Sequence, residues 1–281
     1  MKTNLVAALI LFTMSSALLP AGVYAGSSAG LRNVSAQAPV KKVRRSAPDA
    51  HHLFPDSKVA EISPYRGCKN YGKSIAVLGG SLSVNRESDA AKQIWADLLN
   101  SEVTTYGVGG AGFSSLQGYS MQRQADTLGV YDIYVLWAST NDFKGNKECG
   151  SWKDYTALDN YDESRLTTQC GGINYCIRKI YEKNPAAEIY FFTSLRFFRS
   201  DSGYNPFSEE TNVTGKSFAD YIRAQKECCA YYGIPVLDQF NLQGMNELNY
   251  APYYRDDKLH LTIEGYRRIG PVQAAFLANG H

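Results

Sequence analysis

The sequence predicts an α/β domain built on a parallel sheet with helices on both faces, and three observations predict it. Short apolar runs alternate with longer amphipathic stretches from about residue 62 to residue 281, the order that strand–helix–strand units produce. The runs are apolar almost without interruption, as in Ile133-Tyr134-Val135-Leu136-Trp137-Ala138, which fits strands covered on both faces. No internal repeat and no second domain can be read in the chain.

Five strands are predicted, at 74–78, 103–106, 133–138, 188–193 and 235–237. Between and after them lie five amphipathic stretches, at 90–100, 114–128, 165–183, 216–232 and 263–277. In the last, Ile263, Tyr266, Ile269, Val272 and Phe276 recur at helical spacing. Ligands of such sheets bind beyond the carboxyl ends of the strands, so the chemistry should follow each apolar run.

The 281 residues, 44% hydrophobic and 20% charged, exclude a disordered chain, a collagen-like repeat and a small disulfide scaffold. Charge is spread unevenly. Residues 1–50 hold Lys2, Arg32, Lys41, Lys42, Arg44 and Arg45 against Asp49 alone, so the remainder is net negative and offers no footprint for nucleic acid. Lys2 precedes an apolar run from Leu5 to Leu19, and Val23 and Ala25 stand at −3 and −1 of a cut after Ala25. That is the pattern of a secretory signal peptide over residues 1–25, implying a secreted or periplasmic protein with no stable membrane insertion after cleavage. Residues 26–61 read as a flexible basic linker.

Export permits disulfides among Cys68, Cys149, Cys170, Cys176, Cys228 and Cys229. Cys149 and Cys170 bracket a polar stretch with the look of an insertion and form the favoured pair. Adjacent Cys228 and Cys229 would pair elsewhere, since a bond between them strains the peptide. The absence of a Cys-x-x-Cys pair and a total of four His argue against zinc.

The segments after the predicted strands carry the polar chemistry. The first strand leads to Gly79-Gly80-Ser81-Leu82, whose glycines allow a sharp turn that exposes Ser81. The second leads to the glycine loop 107–112, where Gly107, Gly109 and Gly112 match a dinucleotide spacing but follow the wrong strand and lack the acidic ribose partner. The third leads to Ser139-Thr140-Asn141-Asp142, with an amide able to face an oxyanion. Near the end, Asp257-Lys258-Leu259-His260 lets a carboxylate reach the imidazole Nδ1 and leaves Nε2 to act as base on a hydroxyl. Asp238 also stands at a strand end, but no His is near it and it reads as a turn cap; Asp142 reads as a brace for the Asn141 loop.

Taken together, these four segments make the chain resemble the SGNH (GDSL-type) hydrolase superfamily, as an exported bacterial member, over about residues 70–278. The resemblance implies a three-layer α/β/α sandwich with a five-stranded parallel sheet, flavodoxin-like. It implies Ser81 as nucleophile, His260 as general base and then acid, and Asp257 orienting His260. It implies an oxyanion hole from the Ser81 N–H, the Gly110 N–H and the Asn141 amide, and ester hydrolysis through an acyl-enzyme without a metal or cofactor. Two positions depart from the family pattern: Gly80 stands where Asp is usual, and Ser139 where Gly is usual. Neither position supplies a catalytic side chain, so the implied roles survive while loop packing and substrate shape change.

The expected substrate is a small-molecule or glycan ester, with an O-acetyl group on a carbohydrate favoured by export. Phe113, Tyr119, Trp137, Phe143, Trp152, Phe197, Phe198, Tyr253 and Tyr254 lie near the motifs and offer rings for sugar faces, with core packing the plainer reading, especially for Trp137. The segments 144–169 and 196–214 are expected to wall the pocket, and Arg196 and Arg199 offer charge for an acidic sugar. The alternatives are a lipase- or thioesterase-type acyl hydrolase, an acyltransferase, and a non-catalytic glycan-binding protein on the same fold.

Overall fold

A computed structural model describes residues 51–53, 63–116, 119–198 and 210–280. The proposed signal peptide, its cleavage site, the basic cluster and Arg199 lie outside the described residues. The elements in chain order are β1 (His51–Leu53), β2 (Ile75–Gly79), α1 (Ser81–Val84), α2 (Asp89–Leu99) and β3 (Val103–Thr105). Then come α3 (Met121–Asp126), β4 (Ile133–Trp137), α4 (Asn141–Lys144), α5 (Gln169–Lys183) and β5 (Glu188–Phe192). The chain closes with α6 (Phe218–Tyr232), β6 (Val236–Leu237), α7 (Gln239–Leu242) and α8 (Ile263–Asn279). No helix among the described residues is long and apolar enough to cross a membrane.

The sheet runs in the order β1-β3-β2-β4-β5-β6. The five strands β2 to β6 are parallel, as the sequence predicts. A sixth strand was not foreseen. β1 pairs antiparallel with β3, His52 opposite Thr104, within the segment read as linker.

Alternation along the buried strands divides the core into two layers. Ile133, Val135 and Trp137 point to one face and pack with Trp95 and Leu99 of α2 and Ile269, Ala274 and Leu277 of α8. Tyr134 and Leu136 point to the other face and pack with Met121 of α3, Ile173 and Ile177 of α5, and Tyr221 and Ile222 of α6. Between the strand ends and α8, a buried amide relay runs from Trp95 Nε1 to Gln273, from Gln273 to Gln239, and from Gln239 to the Thr193 carbonyl. Each polar atom in that line meets a partner, which is what burial demands.

The stretch 114–128, read as one helix, forms only the short α3. Ahead of it the chain is tied across the fold: the Phe113 and Ser114 N–H groups donate to Asp142, and the Ser115 N–H to the Leu166 carbonyl. The final helix starts where its cap dictates. Thr262 Oγ1 accepts from the Gly265 N–H at 3.2 Å. Thr262→Ala is expected to cost roughly 1 kcal/mol of stability, read as a lower urea midpoint at unchanged slope.

All six cysteines are free thiols in this structure. The favoured pair, Cys149 and Cys170, lies in thiol contact without a bond, and Cys228 touches Cys170 from the other side. A disulfide is not shown here, and contact alone does not single out one pairing, because Cys170 has two neighbours. The hydrogen bond to Cys170, and burial after it, push the Cys149 thiol well up.

Candidate active site

Ser81 opens α1, directly after β2. The strand end is clamped by one side chain: Gln124 Oε1 accepts from the Gly79 N–H at 2.9 Å and Gln124 Nε2 donates to the Gly79 carbonyl at 3.0 Å. α1 is too short to satisfy its own last carbonyls. Tyr266 Oη donates to the Leu82 carbonyl at 2.7 Å, and Lys92 Nζ to the Ser83 carbonyl at 2.9 Å. Lys92 is fully buried and paired with Asp89 at 3.0 Å, and burial lowers its pKa. The helix that presents Ser81 is thus held from α2 and α8, and the strand end before it from α3.

His260 sits on a tight return between Tyr253 and Thr262. The Arg255 N–H donates to the His260 carbonyl at 2.8 Å, the Thr262 N–H to the Tyr253 carbonyl at 2.9 Å, and the Phe198 N–H to the Lys258 carbonyl at 2.8 Å. Lys258 takes a positive φ of 53° at the apex. The turn lets Asp257 grip the residues two and three places on: Oδ1 accepts the backbone N–H of Leu259 at 3.0 Å and of His260 at 2.9 Å. Oδ2 lies 2.6 Å from His260 Nδ1, and His260 Nε2 lies 2.8 Å from Ser81 Oγ. Burial pushes the Asp257 carboxyl up, but the His260 side chain and the two N–H donors outweigh it and hold it at about 2. Asp257 is therefore ionised at any neutral pH, and the hydroxyl, imidazole and carboxylate form one continuous relay.

Asn141 opens α4 at the end of β4. Its Nδ2 donates to the Ala111 carbonyl at 2.8 Å and to Ser139 Oγ at 3.1 Å. Gly110 stands beside Ala111 at a φ of 82°, a left-handed turn that favours glycine. Of the residues predicted for the site, Ser81, Asp257 and His260 are joined by direct contacts. Asn141 and the Gly110–Ala111 turn converge on Gly80, just before Ser81.

Asp142 braces this loop, as read from the sequence. It is fully buried and accepts from the Phe113 N–H at 2.7 Å and the Ser114 N–H at 2.9 Å. Burial nonetheless pushes its carboxyl up to about 6, against those two donors and Lys147. A carboxyl raised on folding binds its proton more tightly in the native state, so its stabilisation is full below the unfolded value near 4 and fades as pH rises through 6. Stability is expected to drop by about 3 kcal/mol across that window, and Asp142→Asn to flatten that part of the slope, as read from urea midpoints at pH 4 and pH 7.

The readings of Arg196 and of most of the aromatic rings as pocket residues change, while those of Trp137 as core and Asp238 as a cap hold. Arg196 is not aimed at a substrate: Nε donates to the Phe240 carbonyl at 2.5 Å, Nη2 to Asn241 at 3.0 Å, and the guanidinium lies over the Phe240 ring. Phe113, Trp137, Phe143, Phe197 and Tyr254 are core residues. Phe198 stacks on Tyr250, and Trp152 packs on Tyr231. Of the nine rings, Tyr119 alone is exposed. Asp238 caps α7 through the Asn241 N–H and pairs with Lys226, away from any imidazole. The sequence reading missed Gln124, Lys92 and Tyr266, which act across the fold. A lysine three residues after Asp89 was the one local trace of them.

The sequence profile of the GDSL-like lipase/acylhydrolase family matches residues 71–268. The chain belongs to that family. This GDSL-like domain shares its fold with solved structures. One is 24% identical, with a TM-score of 0.64 over 74% of this chain and 98% of the other. A Lactobacillus plantarum protein is 22% identical, with a TM-score of 0.59 over 73% of this chain and 96% of its own. A structure described as a possible lipase, from Chitinophaga pinensis, is 20% identical, with a TM-score of 0.54 over 73% and 97% of the two chains. At these identities the likeness is one of fold. No curated protein matches the chain.

Proposed function

We propose that this protein is a secreted serine esterase that hydrolyses O-acyl esters, with a small acyl group such as acetyl on a carbohydrate as the natural substrate. The relay from Ser81 Oγ to His260 Nε2 at 2.8 Å and on to Asp257 carries the reading. His260 takes the Ser81 proton as Oγ attacks the ester carbonyl, and Asp257 steadies the imidazolium that forms. The Ser81 and Gly110 N–H groups are the donors to the developing oxyanion, and Asn141 Nδ2, whose two protons rest on the Ala111 carbonyl and on Ser139 Oγ, joins them by turning the proton of its longer contact, 3.1 Å to Ser139, toward the charge. Collapse expels the alcohol with the proton from His260 and leaves an acyl group on Ser81. Water, activated by the same imidazole, then frees the acid.

The carbohydrate assignment rests on the export signal read in the sequence and on exposed Tyr119 beyond the glycine loop. A second reading, a longer fatty acyl chain, draws on exposed Val108 in that loop and exposed Leu116 after it. Turnover of p-nitrophenyl esters of two, four and eight carbons, beside acetylated oligosaccharide, separates the two. The expected order favours acetate, with acetate released from the glycan; a preference for eight carbons supports the fatty-acyl reading. A folded protein that neither turns over any ester nor takes a fluorophosphonate label on Ser81 is not an esterase, and the glycan-binding alternative then stands.

A further inference from the structure

We infer that Gly80 and Ser139 act as one unit, in which the side chain omitted at residue 80 makes room for the side chain at 139, and that Ser139 is the positioning residue for the oxyanion donors. The inference rests on the esterase reading for its catalytic half and on geometry alone for its spatial half.

Gly80 adopts φ −95° and ψ −157°, an extended conformation open to any residue. Its need for glycine is therefore one of space. A Cβ there would lie 2.8 Å from the Ala111 carbonyl oxygen, 2.9 Å from Ser139 Cβ and 3.0 Å from Asn141 Nδ2. Those three atoms belong to the glycine loop and to the segment ahead of α4, the two pieces of chain that carry Gly110 and Asn141. Ser139 joins them. It is 4% exposed, and its Oγ donates to the Ala111 carbonyl at 2.7 Å. The same oxygen accepts from the Asn141 backbone N–H at 3.3 Å and from Asn141 Nδ2 at 3.1 Å. One donor and two acceptor sites are all that a hydroxyl offers, and each is used. Residue 139 is itself anchored, since Ser194 Oγ donates to its carbonyl at 2.7 Å.

The two departures from the family pattern are thus one exchange. The usual pattern puts a side chain at the residue before the nucleophile and glycine at the facing strand end. Here the side chain stands on the other partner and fills the same gap. The hydroxyl turns that gap into a hydrogen-bonded node that fixes the Asn141 amide and the Gly110–Ala111 turn relative to Ser81.

Four variants test this: Gly80→Ala, Ser139→Ala, Ser139→Gly, and Gly80→Ala combined with Ser139→Gly. The spatial half is read without activity. Gly80→Ala is expected to lower the urea midpoint strongly in the wild-type background and less in the Ser139→Gly background, where the approach to Ser139 Cβ is gone and that to the Ala111 carbonyl remains. Equal loss in both backgrounds, or none in either, overturns the pairing. The positioning half is read on p-nitrophenyl acetate. Ser139→Ala keeps the Cβ and removes the hydroxyl, so kcat is expected to fall roughly 10- to 100-fold with KM nearly unchanged and the fold intact. An unchanged kcat overturns the positioning role, as does a rise in KM alone. A wild type with no esterase activity would sink the esterase reading and the positioning role with it, while the unfolding cycle would still decide the pairing.

Discussion

Ser81→Ala or His260→Ala is expected to lower kcat on p-nitrophenyl acetate by roughly 10⁴-fold or more, and the double variant to be no worse than either single one. At about 1.4 kcal/mol per decade, that loss exceeds 5 kcal/mol of barrier. The reason is the 2.8 Å contact between Ser81 Oγ and His260 Nε2: a serine hydroxyl is a weak nucleophile unless its proton has somewhere to go. Without the imidazole the hydroxyl is idle, and without the hydroxyl the imidazole has nothing to deprotonate, so the two losses do not add. Both residues are half-buried, so Ser81→Ala should keep the wild-type unfolding midpoint, while His260→Ala gives up the 2.6 Å contact with Asp257 and should lower it without unfolding the domain. Additive losses would mean that Ser81 and His260 work separately, and the relay would not be the machinery.

The second large effect is expected at Asn141. Asn141→Ala should cut kcat by roughly 10²–10³-fold, about 2.7–4 kcal/mol, and leave KM close to wild type. Nδ2 is anchored on the Ala111 carbonyl at 2.8 Å and rests its second proton on Ser139 Oγ at 3.1 Å, so the amide is oriented before any substrate arrives, and it releases the longer contact only as charge develops, which serves the tetrahedral state more than the neutral ester. A rise in KM at constant kcat would instead make Asn141 a ground-state contact. Fluorophosphonate labelling gives a second readout, since phosphonylation of Ser81 also builds charge on an oxygen and should slow in parallel.

How much of this the sequence disclosed follows from how far apart the interacting residues lie. The five parallel strands were legible to within a residue or two, because burial on both faces leaves an unbroken apolar run. The Asp257–His260 pair was legible because both partners lie on one turn of chain. The link from Ser81 to His260 spans 179 residues and was visible only through the order of motifs that the family shares. Helix α3 was overread, because periodicity cannot show that residues 113–115 are tied to Asp142 and Leu166 in an irregular course. Gln124 and Tyr266 gave no local signal at all: a glutamine on an amphipathic helix and a tyrosine at helical spacing look like many others until the tertiary contact is made. β1 was missed for a related reason. Three residues carry no period, and their extended form is dictated by the strand they meet.

That short strand has a consequence for handling the molecule. β3 is only three residues long and, without β1, would present the outer N–H and C=O groups of Val103–Thr105 to solvent at the rim of the sheet. Bare rims invite pairing with another chain, and domains commonly blunt them with a short cover strand. His51–Leu53 is such a cover. A fragment begun at residue 62, where the run of predicted elements starts, would keep every motif of the relay and lose its protection against edge-to-edge association.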